Sequence, residues 1–303
     1  MSIATEIQRL QTAKADLKTA IEAKGVSVPS SATIDTYDDY VSQISGGGGT
    51  TYETEVKMLI ERYMTSFNIP SGVTSIGSYA FSSCRNLTSV TIPNGVTSIG
   101  LYAFQDCVEL TSINIPNSVS TIYGYAFQQC SKLTSITIGS GVTSIGGYAF
   151  YNCKSVTNIN IPSGVTSIGN NAFQNCSGLT SINIPSGVTS IGSYVFSTCS
   201  SLTSVTIPSG VKSIGTSAFA SCSSLTSVTI PSGVTSIGTY AFYNCSGLTN
   251  ITINATTPPT LSNINAFTNT NDCPIYVPSG SVDTYKAASK WSTYASRIQA
   301  IPT

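Results

Sequence analysis

The sequence predicts an α/β solenoid built from coils of 23 residues, with parallel strands and short helical turns in every coil. Phenylalanine recurs at positions 81, 104, 127, 150, 173, 196, 219 and 242, and cysteine at 84, 107, 130, 153, 176, 199, 222 and 245. The period of 23 residues holds without an insertion through these eight copies, which is typical of coils that stack on one another. A single coil buries too little apolar surface to fold alone, so the stack must fold as one unit.

Two strands are predicted in each coil. In the first coil, Leu87, Val90 and Ile92 have the spacing of a leucine-rich strand, which Pro93 ends. Residues 73–77 predict a second, shorter strand on the opposite side of the coil. The coil should therefore have two sheet-forming sides around one apolar interior.

The segment between the two strands predicts a short helical turn. Phe81, Cys84 and Leu87 lie three residues apart, as on one face of a helical or 3₁₀ turn. Gly77 is predicted as a corner with a positive φ angle. One copy carries Tyr123 where the others have this glycine, so the corner does not strictly require glycine.

The cysteine series is interpreted as a column of buried thiols that act as small hydrophobes. Disulfides between coils are disfavoured because side chains in register point the same way. A zinc site is disfavoured because a linear series without histidine offers no cluster of four ligands. Cys273 lies off the period and is expected to be partly exposed.

Both ends of the repeat region should be capped. The solenoid is assigned to residues 52–254, with a capping helix at 52–63, and a C-terminal cap to residues 255–303. In the C-terminal cap, residues 273–278 predict a last strand. A closing helix is predicted from Val282 to Trp291 and on to Ile301.

An N-terminal helical module is predicted at residues 1–45, followed by a glycine-rich linker at 46–51. Its first helix carries apolar residues at heptad spacing, namely Ile3, Ile7, Leu10, Leu17 and Ile21. This stripe could pack against the module's own second helix, at 34–44, or against further copies of the chain. The second interpretation is favoured, with a trimeric coiled coil as the expected homo-oligomer.

The composition argues against several classes of function. Charged residues make up 9% of the chain, the formal net charge is zero and histidine is absent. We expect no nucleic-acid partner, because there is no basic field, and no membrane insertion, because no apolar run is long enough. No enzymatic activity, cofactor or metal is expected, since histidine is the commonest general base and metal ligand. No secretory signal is recognised at the N-terminus.

Two uncharged surfaces are candidates for ligand binding. Short polar groups beside rigid aromatic rings suit sugars or protein surfaces. On the outward strand positions the candidates are Asn114, Thr137, Asn158, Asn160, Asn183 and Thr206. In the helical-turn region they are Tyr102, Tyr125, Tyr148, Tyr151 and Tyr194. The alternative is that these residues only keep the surface soluble.

The repeat resembles the BspA-like (Treponema-type) leucine-rich repeat over residues 64–254, because the core Ala-Phe-x-x-Cys-x-x-Leu appears in six of eight copies. The C-terminal segment from Pro274 also resembles the closing segment of such proteins from gut Bacteroidales. The resemblance implies a binding or adhesion scaffold, usually secreted or bound to a bacterial surface.

The opening segment is similar to N-terminal segments of phage tail and tail-fibre proteins, most clearly from Ala20 to Pro29. Together these resemblances favour a tail-associated receptor-binding protein of the virion, made in the host cytoplasm. Its partners would be a bacterial surface glycan or protein and other virion tail proteins. The alternative is a BspA-like adhesin or host-interaction protein on the bacterial cell surface.

Overall fold

A computed structural model describes residues 65–69 and 71–302, together with Thr19. These residues form a parallel-stranded solenoid of about ten coils with little helix. The predicted coiled coil at 1–45, the linker at 46–51 and the capping helix at 52–63 lie outside the described residues.

One side of the solenoid is a stack of the longer strands. The strands pair in parallel with the strand one coil later, as in Ile182 with Val205. Along a strand, exposed and buried residues alternate, so that the apolar half points into the solenoid. The strands of this side are β1 (Ser66–Asn68), β2 (Ser89–Thr91), β4 (Ser112–Ile115), β6 (Ser135–Ile138), β8 (Asn158–Ile159), β10 (Ser181–Asn183), β12 (Ser204–Thr206), β14 (Ser227–Ile230), β16 (Asn250–Ile253), β18 (Ile275–Val277) and β19 (Ile298–Ala300). They form four successive sheets: β1-β2, β4-β6, β8-β10-β12 and β14-β16-β18-β19.

The predicted second strand is confirmed as a strand of two residues in each of eight coils. The first coil joins this side through a single bridge between Ile76 and Ile99. The strands are β3 (Ser98–Ile99), β5 (Thr121–Ile122), β7 (Ser144–Ile145), β9 (Ser167–Ile168), β11 (Ser190–Ile191), β13 (Ser213–Ile214), β15 (Ser236–Ile237) and β17 (Thr260–Leu261).

The prediction of a helical turn in each coil is wrong, because the segment is a run of tight turns. Alternate amides donate to the next coil, as from Tyr79 N–H to the Leu101 carbonyl at 2.8 Å. The amides between them close short turns within the coil, as from Ala80 N–H to the Gly77 carbonyl. Tyr79 and Ser83 have φ angles of 63° and 64°, and a left-handed residue interrupts any right-handed helix.

Glycine occurs at this corner for a different reason from the predicted positive φ angle. Gly77 and its equivalents do not adopt a left-handed φ. Glycine is required there by close approach: a Cβ atom on Gly146 would lie 2.4 Å from the Gly124 nitrogen of the preceding coil. Tyr123 is the exception, and its amide still donates to the Ile99 carbonyl at 2.9 Å, as the glycine amides do in other coils.

The phenylalanine column forms the centre of the interior. Nine phenylalanines from Phe81 to Phe267 stack with ring centroids 5.0–5.6 Å apart and interplanar angles of at most 18°. Phe104 and every later member are at most 1% exposed. Each ring therefore fills the space between two neighbouring rings, which makes the interior continuous.

The thiol column confirms the interpretation of the cysteines as buried thiols. All nine cysteines are buried and none forms a disulfide. Within the described residues no group of histidine, cysteine, aspartate or glutamate could hold a metal ion. Cys273 is only 4% exposed, so its expected exposure was wrong.

Seven of the thiols also donate a hydrogen bond that the sequence did not reveal. The Cys153 thiol donates to the Phe127 carbonyl of the preceding coil at 3.2 Å, and the same carbonyl accepts the Cys130 amide. The bond recurs at 3.0–3.3 Å from Cys107 to Cys245. Cysteine is therefore both a small apolar filler and a donor that ties consecutive coils together.

Threonine hydroxyls tie the coils together on the outside. Thr111 Oγ1 donates to the Thr88 carbonyl at 3.2 Å, and Thr134 Oγ1 donates to the Thr111 carbonyl at 3.1 Å. The same bond recurs from Thr180, Thr203, Thr226 and Thr249. These hydroxyls are already used within the fold.

The prediction of one long closing helix is wrong. Helix α1 covers only Val282–Ala287, between a 3₁₀ turn at Ser279–Ser281 and another at Trp291–Tyr294. The chain then returns as β19, so the strand at 275–277 is not the last one. The helix ends at Ala288, whose backbone is extended (φ −69°, ψ 146°), and the left-handed Lys290, with φ of 65°, precedes the second 3₁₀ turn.

The C-terminal segment nevertheless covers the end of the interior. Tyr285, Trp291 and Tyr294 are buried, and the Trp291 ring lies 5.7 Å from the Phe267 ring. The Trp291 indole donates to the Pro259 carbonyl at 2.7 Å, and the Tyr285 hydroxyl donates to the Ala255 carbonyl at 2.8 Å. The buried polar atoms of the cap are thus satisfied by the last coil.

Candidate functional site: the tyrosine edge

Four tyrosines from consecutive coils form a second aromatic stack, on the outside of the solenoid. The ring centroids of Tyr79, Tyr102, Tyr125 and Tyr148 are 4.7, 4.5 and 4.6 Å apart along the series, with interplanar angles of 10°, 15° and 5°. Because the rings cover one another's faces, their edges and hydroxyl groups point outward. We call the surface formed by these residues and Tyr151 the tyrosine edge.

Tyr151 lies three residues after Tyr148 in the same turn region and extends the tyrosine edge. Its ring centroid lies 5.6 Å from that of Tyr148, at an angle of 59°. Beside it, the Asn152 amide donates to Gln129 and accepts from Asn175, so that three neighbouring coils are linked by side-chain amides. The tyrosine edge therefore continues into an uncharged polar strip.

The backbone does not require tyrosine at these positions. The four stacked tyrosines have φ angles of 57–63°, a region that bulky residues rarely adopt. Two sister coils carry Asn171 and Ser217 at the equivalent position, with φ angles of 62° and 53°. Asparagine tolerates this conformation better than tyrosine, so the tyrosines are not placed there by folding alone.

Tyr125, in the middle of the stack, carries a neutral phenol group. Burial, followed by the neighbouring Tyr102 and Tyr148, raises the pKa of Tyr125 above its ordinary value of 10.0. Its hydroxyl stays protonated at neutral pH and can donate a hydrogen bond to a ligand.

Two further exposed residues lie at the same corner and were missed by the sequence analysis. Leu101 is 43% exposed and precedes Tyr102, while Tyr123 is 48% exposed and lies two residues before Tyr125. The Leu101 side chain lies over the next coil, with Cδ2 3.5 Å from where a Cβ atom on Gly124 would stand. The sequence could have indicated both residues, because their types differ from those at the same position in the other copies of the repeat.

The other predicted site residues lie elsewhere. We call the outward side of the longer strands the strand face. It carries Asn114, Thr137, Asn158, Asn160, Asn183 and Thr206, all of them exposed. Tyr194 is set apart from the stack because Asn171 occupies the coil between it and Tyr148. The structure thus brings together Tyr102, Tyr125, Tyr148 and Tyr151 but separates them from the strand face.

Charges contribute little to the described surface. The ion pair of the described residues joins Lys132 to Glu109 at 2.7 Å, and both side chains are exposed to solvent. A shallow pocket of about 330 Å³ lies beside the C-terminal cap and is lined by neutral groups, including Ser232, Asn254 and Thr257. In the part of the chain that the structure describes, no helix is long and apolar enough to cross a bilayer.

The repeat geometry defines a leucine-rich solenoid, and comparison with known proteins places the chain in a family. The BspA type leucine rich repeat region (6 copies) matches residues 58–180 and 166–288. The chain therefore belongs to the BspA-type leucine-rich repeat family. Proteins of this kind are generally binding proteins, which favours a binding or adhesion role. A search of curated proteins gives no significant match.

Several solved structures share the fold. A leucine-rich repeat protein from Bacteroides ovatus ATCC 8483 is 28% identical, with a TM-score of 0.59 over 78% of this chain and 66% of its own. A leucine-rich repeat protein from T. pallidum is 27% identical, with a TM-score of 0.50 over 53% of this chain and 78% of its own. A leucine-rich cell surface protein from Faecalibacterium prausnitzii A2-165 is 25% identical over 79% of this chain and 84% of its own, with a TM-score of 0.36. None of these findings supports the tail-fibre resemblance of residues 20–29, which stays a prediction.

Proposed function

We propose that this protein is a non-enzymatic binding protein of the adhesion type, which acts at a bacterial cell surface. In this role the solenoid is a rigid scaffold and the tyrosine edge contacts a surface glycan or protein. Family membership supports the general role, and the comparisons favour the adhesin over the tail-fibre hypothesis. The trimeric coiled coil remains a separate prediction for residues 1–45.

One observation carries the proposal: surface tyrosines, of which Tyr79 is exposed and Tyr102, Tyr125 and Tyr148 are half-buried, stack at backbone positions that disfavour tyrosine. A residue held in a sparsely populated φ region costs about 1–3 kcal/mol, and such residues cluster at functional sites. Tyrosine also provides large contact area at low entropic cost, which is why it is enriched in binding surfaces. The strand face is a weaker candidate, because its residues are ordinary for an exposed strand.

The test replaces tyrosine with asparagine, a residue that the chain itself carries at the equivalent backbone position of another coil. Labelled full-length protein is applied to intact bacterial cells, to an epithelial cell layer and to a glycan array. We expect the parent to bind at least one of these surfaces, and the double variant Tyr102→Asn, Tyr125→Asn to lose most of that binding while its unfolding midpoint stays close to the parent's.

Ile264→Ser is the matched control, because Ile264 is 47% exposed and occupies the position of Leu101 in the C-terminal cap, seven coils away from Leu101. Its binding should equal that of the parent. Retention of full binding by the double tyrosine variant, or absence of binding to all three surfaces, would count against the proposal.

A further inference from the structure

Leu101 and Tyr123 break the repeat rule at the same corner of neighbouring coils. The position of Tyr123 is glycine in the other seven coils, and the position of Leu101 is serine, glycine, asparagine or threonine in the other seven. Among the eight copies these two are the bulkiest residues at their positions, and the ninth coil, that of Phe267, carries Ile264 at the position of Leu101. Leu101 and Tyr123 are both more than 40% exposed, so neither contributes to the interior.

Folding does not explain Tyr123. At Gly100, Gly146 and Gly169, a Cβ atom would lie 2.3–2.7 Å from backbone atoms of the preceding coil. Any larger side chain at this corner forces the local backbone to shift, which destabilises the fold. A large side chain that is exposed and placed where the repeat favours none is typical of a contact surface.

The two exceptions adjoin the tyrosine edge and share its lack of charge. The corner tripeptides at 77–79, 100–102, 123–125 and 146–148 read Gly-Ser-Tyr, Gly-Leu-Tyr, Tyr-Gly-Tyr and Gly-Gly-Tyr. They span three coil spacings of about 4.8 Å each. Tyr79 is 49% exposed, so the corner holds three of the six exposed large hydrophobic residues among the described residues.

The stacking geometry selects the class of ligand. A sugar binds an aromatic ring by laying its partly positive C–H groups on the negative ring face. The ring faces between neighbouring tyrosines of the stack are covered at 4.5–4.7 Å, whereas the outer face of Tyr79 and the ring of Tyr123 lie outside these contacts. The outward groups are ring edges, phenol hydroxyls and the Leu101 side chain, which suit apolar side chains and carbonyl acceptors of a protein.

We propose that the corner formed by Tyr79, Leu101, Tyr102, Tyr123 and Tyr125 is the centre of a protein-binding surface. Its partner presents an uncharged surface with an aliphatic or aromatic side chain and accessible backbone carbonyls. This inference rests on the proposed binding function and commits it to a protein partner rather than a glycan.

The experiment selects a displayed random-peptide library on the immobilised full-length protein. We expect enriched peptides to carry aromatic or aliphatic residues and no net charge. Leu101→Ser with Tyr123→Gly should weaken the affinity of these peptides at least about tenfold, as expected for truncation at the centre of an interface. Ile264→Ser should leave the affinity unchanged. Because sister coils carry serine and glycine at these positions, thermal unfolding of the double variant should match that of the parent.

Other outcomes would overturn the proposal. One is that the library yields no enriched peptides. The other is that the enriched peptides bind the Leu101→Ser, Tyr123→Gly variant as tightly as the parent. Parallel arms use neutral phosphatidylcholine vesicles, a glycan array and sedimentation of the protein alone. Loss of vesicle or glycan binding in the double variant would assign the corner to lipid or sugar, and loss of self-association would assign it to a second copy of the chain.

The proposed function can survive a failure of this inference. If Tyr102→Asn with Tyr125→Asn abolishes binding to cells while Leu101→Ser with Tyr123→Gly retains it, the tyrosine edge binds a ligand without Leu101 and Tyr123.

Discussion

The phenylalanine column and the tyrosine edge are two aromatic stacks on the same coils, and they differ in continuity. The phenylalanine column runs through nine coils with no break, in full burial. The tyrosine stack covers four coils and then gives way to Asn171 and, two coils later, to Ser217. In both stacks, neighbouring rings are spaced about as far apart as neighbouring coils. The ring spacing therefore does not explain why the residue type varies in the outer stack alone.

The difference shows what each stack does. A missing ring inside the solenoid leaves a cavity with no atoms to fill it, so every coil must supply one. A missing ring outside is replaced by water, so the outer position can change from coil to coil. Uniformity therefore marks the residues that hold the fold, and departures from the repeat mark the residues available for recognition.

The largest effect should come from ionising the thiol column. Burial raises the pKa of Cys107, Cys130 and Cys153 above the ordinary value of 9.0, and that of Cys176 to about 12. A thiol with a higher pKa in the folded chain stabilises the fold fully below pH 9.0, and this contribution is lost as the pH rises towards about 12. Urea unfolding midpoints measured across this range should fall steeply. A constant midpoint, or native thiolate absorbance already appearing at pH 9.0, would contradict the burial of the column.

Removing one ring from the phenylalanine column should give the largest effect of a single substitution. Phe173→Ala deletes a ring that stacks at 5.5 and 5.6 Å with its two neighbours. We expect the free energy of unfolding to fall by about 3–5 kcal/mol, because the cavity cannot collapse between fixed coils. Chemical denaturation followed by circular dichroism measures this loss. A loss no larger than that of a tyrosine-edge variant would remove the distinction between the two stacks.

Removing one thiol should cost less. Cys153→Ala deletes the donor to the Phe127 carbonyl and leaves a small void, with an expected loss of about 1–3 kcal/mol. The Phe127 carbonyl keeps the Cys130 amide, which limits the loss. In the same denaturation assay, an unchanged stability would mean that the thiol hydrogen bond contributes nothing.

The smallest effect on stability is expected at the tyrosine edge. Tyr125→Asn loses two ring contacts, at about 0.5–1.5 kcal/mol each, but relieves part of the left-handed strain of about 1–2 kcal/mol. The net change should therefore stay within about 1 kcal/mol. Thermal and urea unfolding of this variant beside Phe173→Ala compares the two stacks directly.

Much of the fold followed from periodicity. The 23-residue coil, the positions of both strands and the burial of Phe104 and Cys107 were all predicted, because each depends on a repeated apolar pattern. The tight turns were not, since their left-handed residues are tyrosine, serine and asparagine rather than glycine. The long closing helix was wrong, because neither the extended Ala288 that ends α1 nor the left-handed Lys290 after it gives a sequence signal.

The candidate site was predicted only in part. Tyr102, Tyr125 and Tyr148 could be chosen from their spacing, but spacing cannot tell whether rings stack face to face or lie apart. Leu101 and Tyr123 were not chosen, because exposure at a turn corner depends on how closely neighbouring coils approach.

The central claim is that the stacked tyrosines and the two departures from the repeat at Leu101 and Tyr123 serve recognition and not folding. The most direct test is the urea unfolding free energy of one variant that carries Leu101→Ser, Tyr102→Asn, Tyr123→Gly and Tyr125→Asn, residue types that sister coils already use there. The account predicts a stability within about 2 kcal/mol of the parent, less than the loss from a single ring of the phenylalanine column. Unfolding of this variant under conditions where Phe173→Ala remains folded would contradict it.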